Sequence, residues 1–130
     1  MDNIHSSCIV DPTATVHVSA KIGPFTVIGA NVRISADCII SSHCTIDEAI
    51  IGSGCRIGKG CQIDGGSVIG ENTVLENLVM VTGTSMVGTN NLFCSGVNVG
   101  ARGEWKSDMP PSGAVVIGDN NVFREHVTVH

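Results

Sequence analysis

Aromatic side chains are nearly missing from this chain: it has no Tyr, one Trp and three Phe in 130 residues. So few large side chains cannot fill a bulky core, which disfavours a wide two-sheet sandwich and suits a narrow prism lined by aliphatic residues. Basic charge is scarce too. Seven Lys and Arg stand against twelve Asp and Glu, for a net charge of −5, and no basic run is present. That argues against a nucleic-acid partner, because proteins that hold a phosphate backbone carry a basic patch. No run of about 18 apolar residues could span a bilayer. Met1-Asp2-Asn3-Ile4-His5 lacks the charged start and apolar segment of a signal peptide. A cytoplasmic protein forming one domain over residues 1–130 is the expectation.

What the chain does have is a beat. Ile51, Ile57, Ile63, Ile69, Leu75, Val81, Val87, Phe93 and Val99 recur at every sixth residue. A helix repeats every 3.6 residues and a half-buried strand every two, so neither accounts for it. A six-residue unit is too short to fold alone and is stable only when stacked on copies of itself. Gly often follows the anchor (Gly52, Gly58, Gly70, Gly88, Gly100), and a small residue often stands four after it (Cys55, Cys61, Ser67, Thr73, Ser85). This is the hexapeptide pattern of a parallel β-helix, an all-β fold.

Counting backwards adds Ile46, Ile40, Ile34, Ile28, Ile22, Val16, Val10 and Ile4, with one five-residue step from Ile46 to Ile51 that predicts a tightened corner. Counting forwards, the beat lapses after Val99 and resumes at Ile117, Phe123 and Val129. The gap of eighteen equals one turn of a three-sided coil, so the phase is expected to survive it. Three inward columns follow, in about seven coils. In them Ile117 falls on Val99, Phe123 continues the column of Val87, and Val129 that of Phe93. Pairs such as Asn90-Asn91 and Asn120-Asn121 are expected at corners, where Asn tolerates left-handed backbone.

Six cysteines raise the question of disulfides or zinc. Cys8, Cys38, Cys44, Cys55 and Cys61 all fall four residues after an anchor, on the small inward slot. They read as buried small hydrophobes, with Cys38 beside Cys55 and Cys44 beside Cys61 on adjacent coils. Cys94 is outside this register and has no assigned role.

Residues 100–116 (GARGEWKSDMPPSGAVV) break the pattern. They hold the only Trp, Arg102, Lys106 and the pair Pro110-Pro111, which cannot donate to a ladder. The stretch reads as one extruded loop between intact coils. It is either a functional loop on a rigid scaffold or a tolerated surface insertion.

Residues 117–130 then read IGDNNVFREHVTVH. With the loop before it, this string resembles the Ile-Gly-Asp-x-Asn-x-Ile-Arg-Glu-x-Val-Thr-Ile-His of bacterial UDP-N-acetylglucosamine O-acyltransferases, the hexapeptide-repeat enzymes that begin lipid A biosynthesis. Ile22-Gly-Pro-Phe-Thr-Val-Ile-Gly29 is similar to that family's Ile-Gly-Pro-Phe-Cys-x-Ile-Gly, and Ser42-His43 to its Lys-Ser-His strand. The resemblance spans the whole chain but only the N-terminal half of the family. It implies a left-handed winding and a homotrimer. It also implies UDP-amino sugar as acceptor and acyl-carrier protein as donor, with no cofactor. In that family a His general base takes the proton from a sugar hydroxyl as it attacks the thioester. The base lies in a later coil, and no residue here matches it. Substrate contacts carry over to His130, to Glu104 in the loop (Gly103-Glu104-Trp105-Lys106-Ser107, where the family has Gln-Asp-Leu-Lys-Tyr) and to His43.

Three functions stay open on these residues. They are an acyltransferase, here a fragment or a shortened relative; a sugar-nucleotide N-acetyltransferase using acetyl-CoA; and a non-catalytic β-helix serving assembly or sugar binding. The last coil reads as begun and uncapped, which favours a longer natural chain. No metal site is expected. His126 and His130 are four apart, with His126 expected in mid-strand and His130 past the next anchor. The third His and the Arg-Asp pattern of the γ-class carbonic anhydrases, which bind zinc on a similar prism, are missing. Outward apolar residues (Val27, Ile39, Ile50, Val68, Val74, Met80, Met86, Leu92) are expected on all three faces, where assembly would bury part of them.

Overall fold

The computed structural model describes residues 3–100 and 115–130. Its regular elements are nineteen two-residue strands, from Ile9–Val10 to Thr128–Val129, all paired in parallel and with no helix among the described residues. In each strand the second residue is the anchor read from the sequence. Branched aliphatics suit these strands because they accept extended φ/ψ and stack closely on their own kind.

The strands form three sheets. Inward anchors of the first sheet are Val10, Ile28, Ile46, Ile63, Val81, Val99 and Val129. The second has Val16, Ile34, Ile51, Ile69, Val87 and Ile117. The third has Ile22, Ile40, Ile57, Leu75, Phe93 and Phe123, with Ile4 bridged to Ile22. Sheets of seven, six and six strands make a little over six coils, slightly fewer than the seven expected. The anchors from Ile22 to Val99 are all buried, each contributing roughly 1.5–3 kcal/mol.

A repeated backbone device turns the corners from Phe25 onward, whereas the first three, closed by N–H to carbonyl bonds from Cys8 to His5, Ala14 to Asp11 and Ala20 to His17, do without it. Three residues after the anchor, the chain enters the left-handed region: Asn31 (φ 60°), Asp37 (φ 61°), Asn72 (φ 57°), Asn90 (φ 56°) and Asn120 (φ 61°) do so, as do Gly54, Gly60 and Gly96. Phe25 (φ 59°), Leu78 (φ 59°) and Thr84 (φ 57°) take the same conformation at a cost of roughly 1–2 kcal/mol each. The five-residue step is a tightened corner, turned by Glu48 only two after its anchor, and the columns continue through it. Of the Asn90-Asn91 pair only the first turns the corner. Asn91 points inward at 2% exposure, donating to the Gly118 carbonyl (2.8 Å) and accepting from the Asn121 N–H (2.8 Å).

The Gly after the anchor has a different reason. A Cβ added at Gly58 would lie 2.6 Å from the carbonyl carbon of Glu76 in the next coil, closer than real Cβ contacts come. Coils hydrogen-bond so tightly here (Gly58 N–H to Leu75 O, 2.7 Å) that the position has no room for a side chain.

The small-slot cysteines are buried as expected, Cys8 only partly, and all six cysteines are free thiols. They do more than fill space. Cys8, Cys38, Cys44, Cys55 and Cys61 each donate to a corner carbonyl one coil on (Gly23, Gly52, Gly58, Gly70 and Glu76; 2.9–3.1 Å), as Thr26 and Thr73 do with their hydroxyls. Inward corner carbonyls would otherwise be buried without a donor, which costs more than a hydrogen bond contributes. Burial pushes the Cys61 thiol up to about 12. Cys55 is raised by its hydrogen bond with the Cys38 thiol and by burial.

Past the interruption, the expected phase fails. Ile117 pairs with Val87 rather than Val99, Phe123 with Phe93 rather than Val87, and Val129 with Val99 rather than Phe93. The eighteen residues from Val99 to Ile117 cover one corner, which normally takes six. The insertion therefore adds twelve residues, not a full turn, and the winding resumes on the next face. Gly100 and Val115–Val116 belong to the wall, so the bounds of 100–116 expected for the loop are too wide at both ends. Its remainder, 101–114, lies outside the described residues. Phe123 stacks on Phe93 at 4.7 Å and 4°, placing two of the three phenylalanines in one column.

Two outcomes check this account. Gly58→Ala should lower unfolding free energy by about 1–3 kcal/mol, while Gly118→Ala, with nothing within 4 Å of its added Cβ, should stay within about 0.5 kcal/mol; urea unfolding measures both. Because Cys61 titrates higher folded than its ordinary 9.0, its stabilising contribution is complete below about pH 9 and is lost as pH rises toward 12. The urea midpoint should fall over that window, and fall less steeply in Cys61→Ala.

Candidate functional site

The corner between the first and second sheets carries the interruption. Gly100, with φ +78°, follows the Asn98–Val99 strand and donates to the Val129 carbonyl at 2.7 Å. His130 follows the Thr128–Val129 strand in the register-equivalent place one coil on. Gly100, the last described residue before 101–114, therefore lies one coil from His130, which is exposed. Glu104, the second expected contact, lies outside the described residues.

His43 sits elsewhere. It turns the corner between the third and first sheets with φ 61°, its N–H donating to the Pro24 carbonyl (3.0 Å) and its ring against Phe25 (centroids 5.2 Å, tilted 36°). From the level of His43 to that of His130 the first sheet steps four times, from Thr45–Ile46 to Thr128–Val129. At one strand spacing per step the separation along the axis is about 19 Å. A single copy therefore does not bring His43 and His130 together.

His126 is not in mid-strand as expected. It turns the corner with φ 62°, on the same edge as His43, and its ring covers Gly96. The helix-like spacing to His130 is thus broken by a change of corner. His5 and His17 are turn caps, each ring Nδ1 paired with a Ser hydroxyl (Ser7, Ser19) at 2.8 Å.

The outward apolar residues do occupy three faces, but in two unbroken ladders. Ile50, Val68, Met86 and Val116 run along the second sheet, and Val74, Leu92 and Val122 along the third. The outer positions of the first sheet are mixed, with Thr45, Gln62, Asn98 and Thr128 among them. One further group was not visible in the repeat: Glu76, Cys94 and Glu125 converge where the third sheet turns toward the first, with ligand atoms within 4.8 Å of one another. The available signals were the eighteen-residue spacing from Glu76 to Cys94 and the absence of Cys94 from the small slot. Glu125 could be added only once the phase after the interruption was known.

Comparison with known proteins fits this geometry. A family model described as the GMPPB C-terminal domain matches residues 4–98. Over its whole length the chain is 30% identical to an acyl-[acyl-carrier-protein]–UDP-N-acetylglucosamine O-acyltransferase of Saccharophagus degradans, of which it covers 37%. Among solved structures it is similar to the UDP-N-acetylglucosamine O-acyltransferase of Moraxella catarrhalis, with a TM-score of 0.61 and 22% identity over 98% of this chain and 60% of that one. It is also similar to a variant of perosamine N-acetyltransferase from Caulobacter crescentus, solved with CoA and GDP-perosamine, with a TM-score of 0.50 and 21% identity over 93% of this chain and 50% of that one. The structural likenesses show a shared fold. The chain spans a little over a third of the length of the curated relatives it matches.

Proposed function

The chain belongs to the family described as the GMPPB C-terminal domain, and we propose that it acts on sugar nucleotides as part of a β-helix acyltransferase. In this reading it binds a UDP-amino sugar for acyl transfer from acyl-carrier protein. The observation that carries the reading is the string Ile117 to His130 following the interrupted corner, together with 30% identity to a UDP-N-acetylglucosamine O-acyltransferase across all of the chain.

In this reading the cleft lies beside the first-to-second corner, with His130 and Glu104 contacting the sugar nucleotide. His43 joins that cleft only from a neighbouring copy, because the two positions are about four strand spacings apart. A homotrimer packed through the apolar ladders of the second and third sheets supplies such a neighbour. Chemically, transfer requires a sugar hydroxyl to attack the thioester carbonyl, the carrier thiol to leave and a base to take the hydroxyl proton. We assign no residue of this chain to that base; its part is to bind and orient the acceptor. No helix among the described residues is long and apolar enough to cross a membrane.

Calorimetric titration with UDP-N-acetylglucosamine tests the reading, with light scattering on the same sample. Binding by a species three times the chain mass is expected. His130→Ala should weaken binding by roughly two- to tenfold, the worth of one hydrogen bond of about 0.5–1.5 kcal/mol. Turnover with acetyl-CoA but not acyl-carrier-protein thioester would move the chain to the N-acetyltransferases. Absence of any nucleotide-sugar binding would leave a scaffold and end the proposal.

A further inference from the structure

Glu76 and Cys94 are register equivalents, each one residue after its inward anchor, because Leu75 pairs with Phe93. Glu125 joins them from the following coil, two residues after Phe123, which pairs with Phe93. Three successive coils thus contribute a carboxylate oxygen, a thiol sulfur and a second carboxylate oxygen, all within 4.8 Å of one another. At this same position earlier coils carry Gly23 and Gly58, where a Cβ would meet the backbone of the next coil. Of the two side chains placed there, Glu76 reaches solvent while Cys94 is only 4% exposed.

Exposed carboxylates gather often without a ligand. The thiol is what sets this group apart. Each of the other five cysteines donates to a backbone carbonyl. Cys94, at 4% exposure, has no backbone acceptor among the described residues; its thiol is hydrogen-bonded with the Glu76 side chain, and Glu125 and Arg124 lie near it. Glu76 is itself held in place by the Ser95 N–H, which donates to its Oε1 at 3.1 Å. Burial, then the charges of Glu125 and Glu76, hold the Cys94 thiol above its ordinary value, while Arg124 pulls the other way.

We propose that Glu76, Cys94 and Glu125 form a site for a thiophilic divalent cation of the zinc class. On binding, the Cys94 S–H bond breaks, its proton goes to water, and the sulfur bonds to the metal. Two carboxylates and one thiolate carry three negative charges, which a divalent cation and the Arg124 guanidinium, 3.5 Å from Glu125 Oε1, together cancel. Zinc–sulfur and zinc–oxygen bonds are about 2.3 and 2.0–2.2 Å, a scale that ligand atoms within 4.8 Å of one another can meet around one ion. Glu76 is held by Ser95, and Glu125, exposed and on the neighbouring coil, closes on the ion. Water completes a tetrahedral shell. The ion clamps the coil after the interruption to the two before it.

Cobalt(II) titration of the full chain tests the site. One ion per chain should bind with a thiolate-to-cobalt charge-transfer absorption in the near ultraviolet, displaced by zinc. Cys94→Ser should abolish the band, while Cys8→Ser should leave it unchanged. Glu125→Gln, at an exposed position, should weaken cobalt binding roughly tenfold or more with circular dichroism unchanged. Absence of the band in the unsubstituted chain, its survival in Cys94→Ser, or unaltered affinity in Glu125→Gln would each overturn the proposal. The last outcome decides even if Cys94→Ser fails to fold.

Discussion

Each coil hydrogen-bonds to the next through the backbone, at one strand spacing, on all three sides at once. That requirement makes every coil a copy of its neighbour. Any residue that points inward meets the same residue type a coil away, so the columns fill with branched aliphatics that stack on themselves. From Phe25 onward the corners are turned alike, so the left-handed position repeats even where Phe25, Leu78 or Thr84 has to bear it. Close approach of successive backbones excludes a Cβ after many anchors, which is the physical content of the Ile-Gly step at Ile57-Gly58. It also leaves corner carbonyls facing inward, and thiols and hydroxyls in the small slot supply their donors.

Much of this was legible because a period of six has a single structural reading. The anchors, the inward slot, the five-residue corner and the columns as far as Val99 follow from counting alone. Counting fails where residues leave the wall, since the number absorbed by an excursion is free. Eighteen residues between Val99 and Ile117 could complete a turn or fill one corner, and backbone pairing chose the corner. Residue type misled at Asn91, whose amide is turned inward because Gly118 and Asn121 offer partners there. His126, expected in mid-strand, stands three residues after Phe123, at the turn position of its coil whatever the phase. For the expected contacts, sequence offered three residues but no proximity. His130 adjoins the interrupted corner, while His43 is several coils away on another edge.

The shifted phase decides which residues meet. By spending one corner on the interruption, the chain sets His130 one coil from Gly100, and it brings Glu125 over Cys94 and Glu76. Had a whole turn been consumed, neither grouping would exist. The acyl-transfer reading and the proposed cation site therefore depend on the same register, though on different edges of the prism. The cation site, if filled, would hold together the coils that frame the interrupted corner.

That register is open to direct observation. In solution NMR of the isotopically labelled chain, through-space cross-peaks should join Val87 and Gly88 to Ile117, and Phe93 to Phe123, as parallel neighbours one strand spacing apart. Cross-peaks from Val99 to Ile117, with none from Val87, would show that a full turn is consumed and would contradict the account.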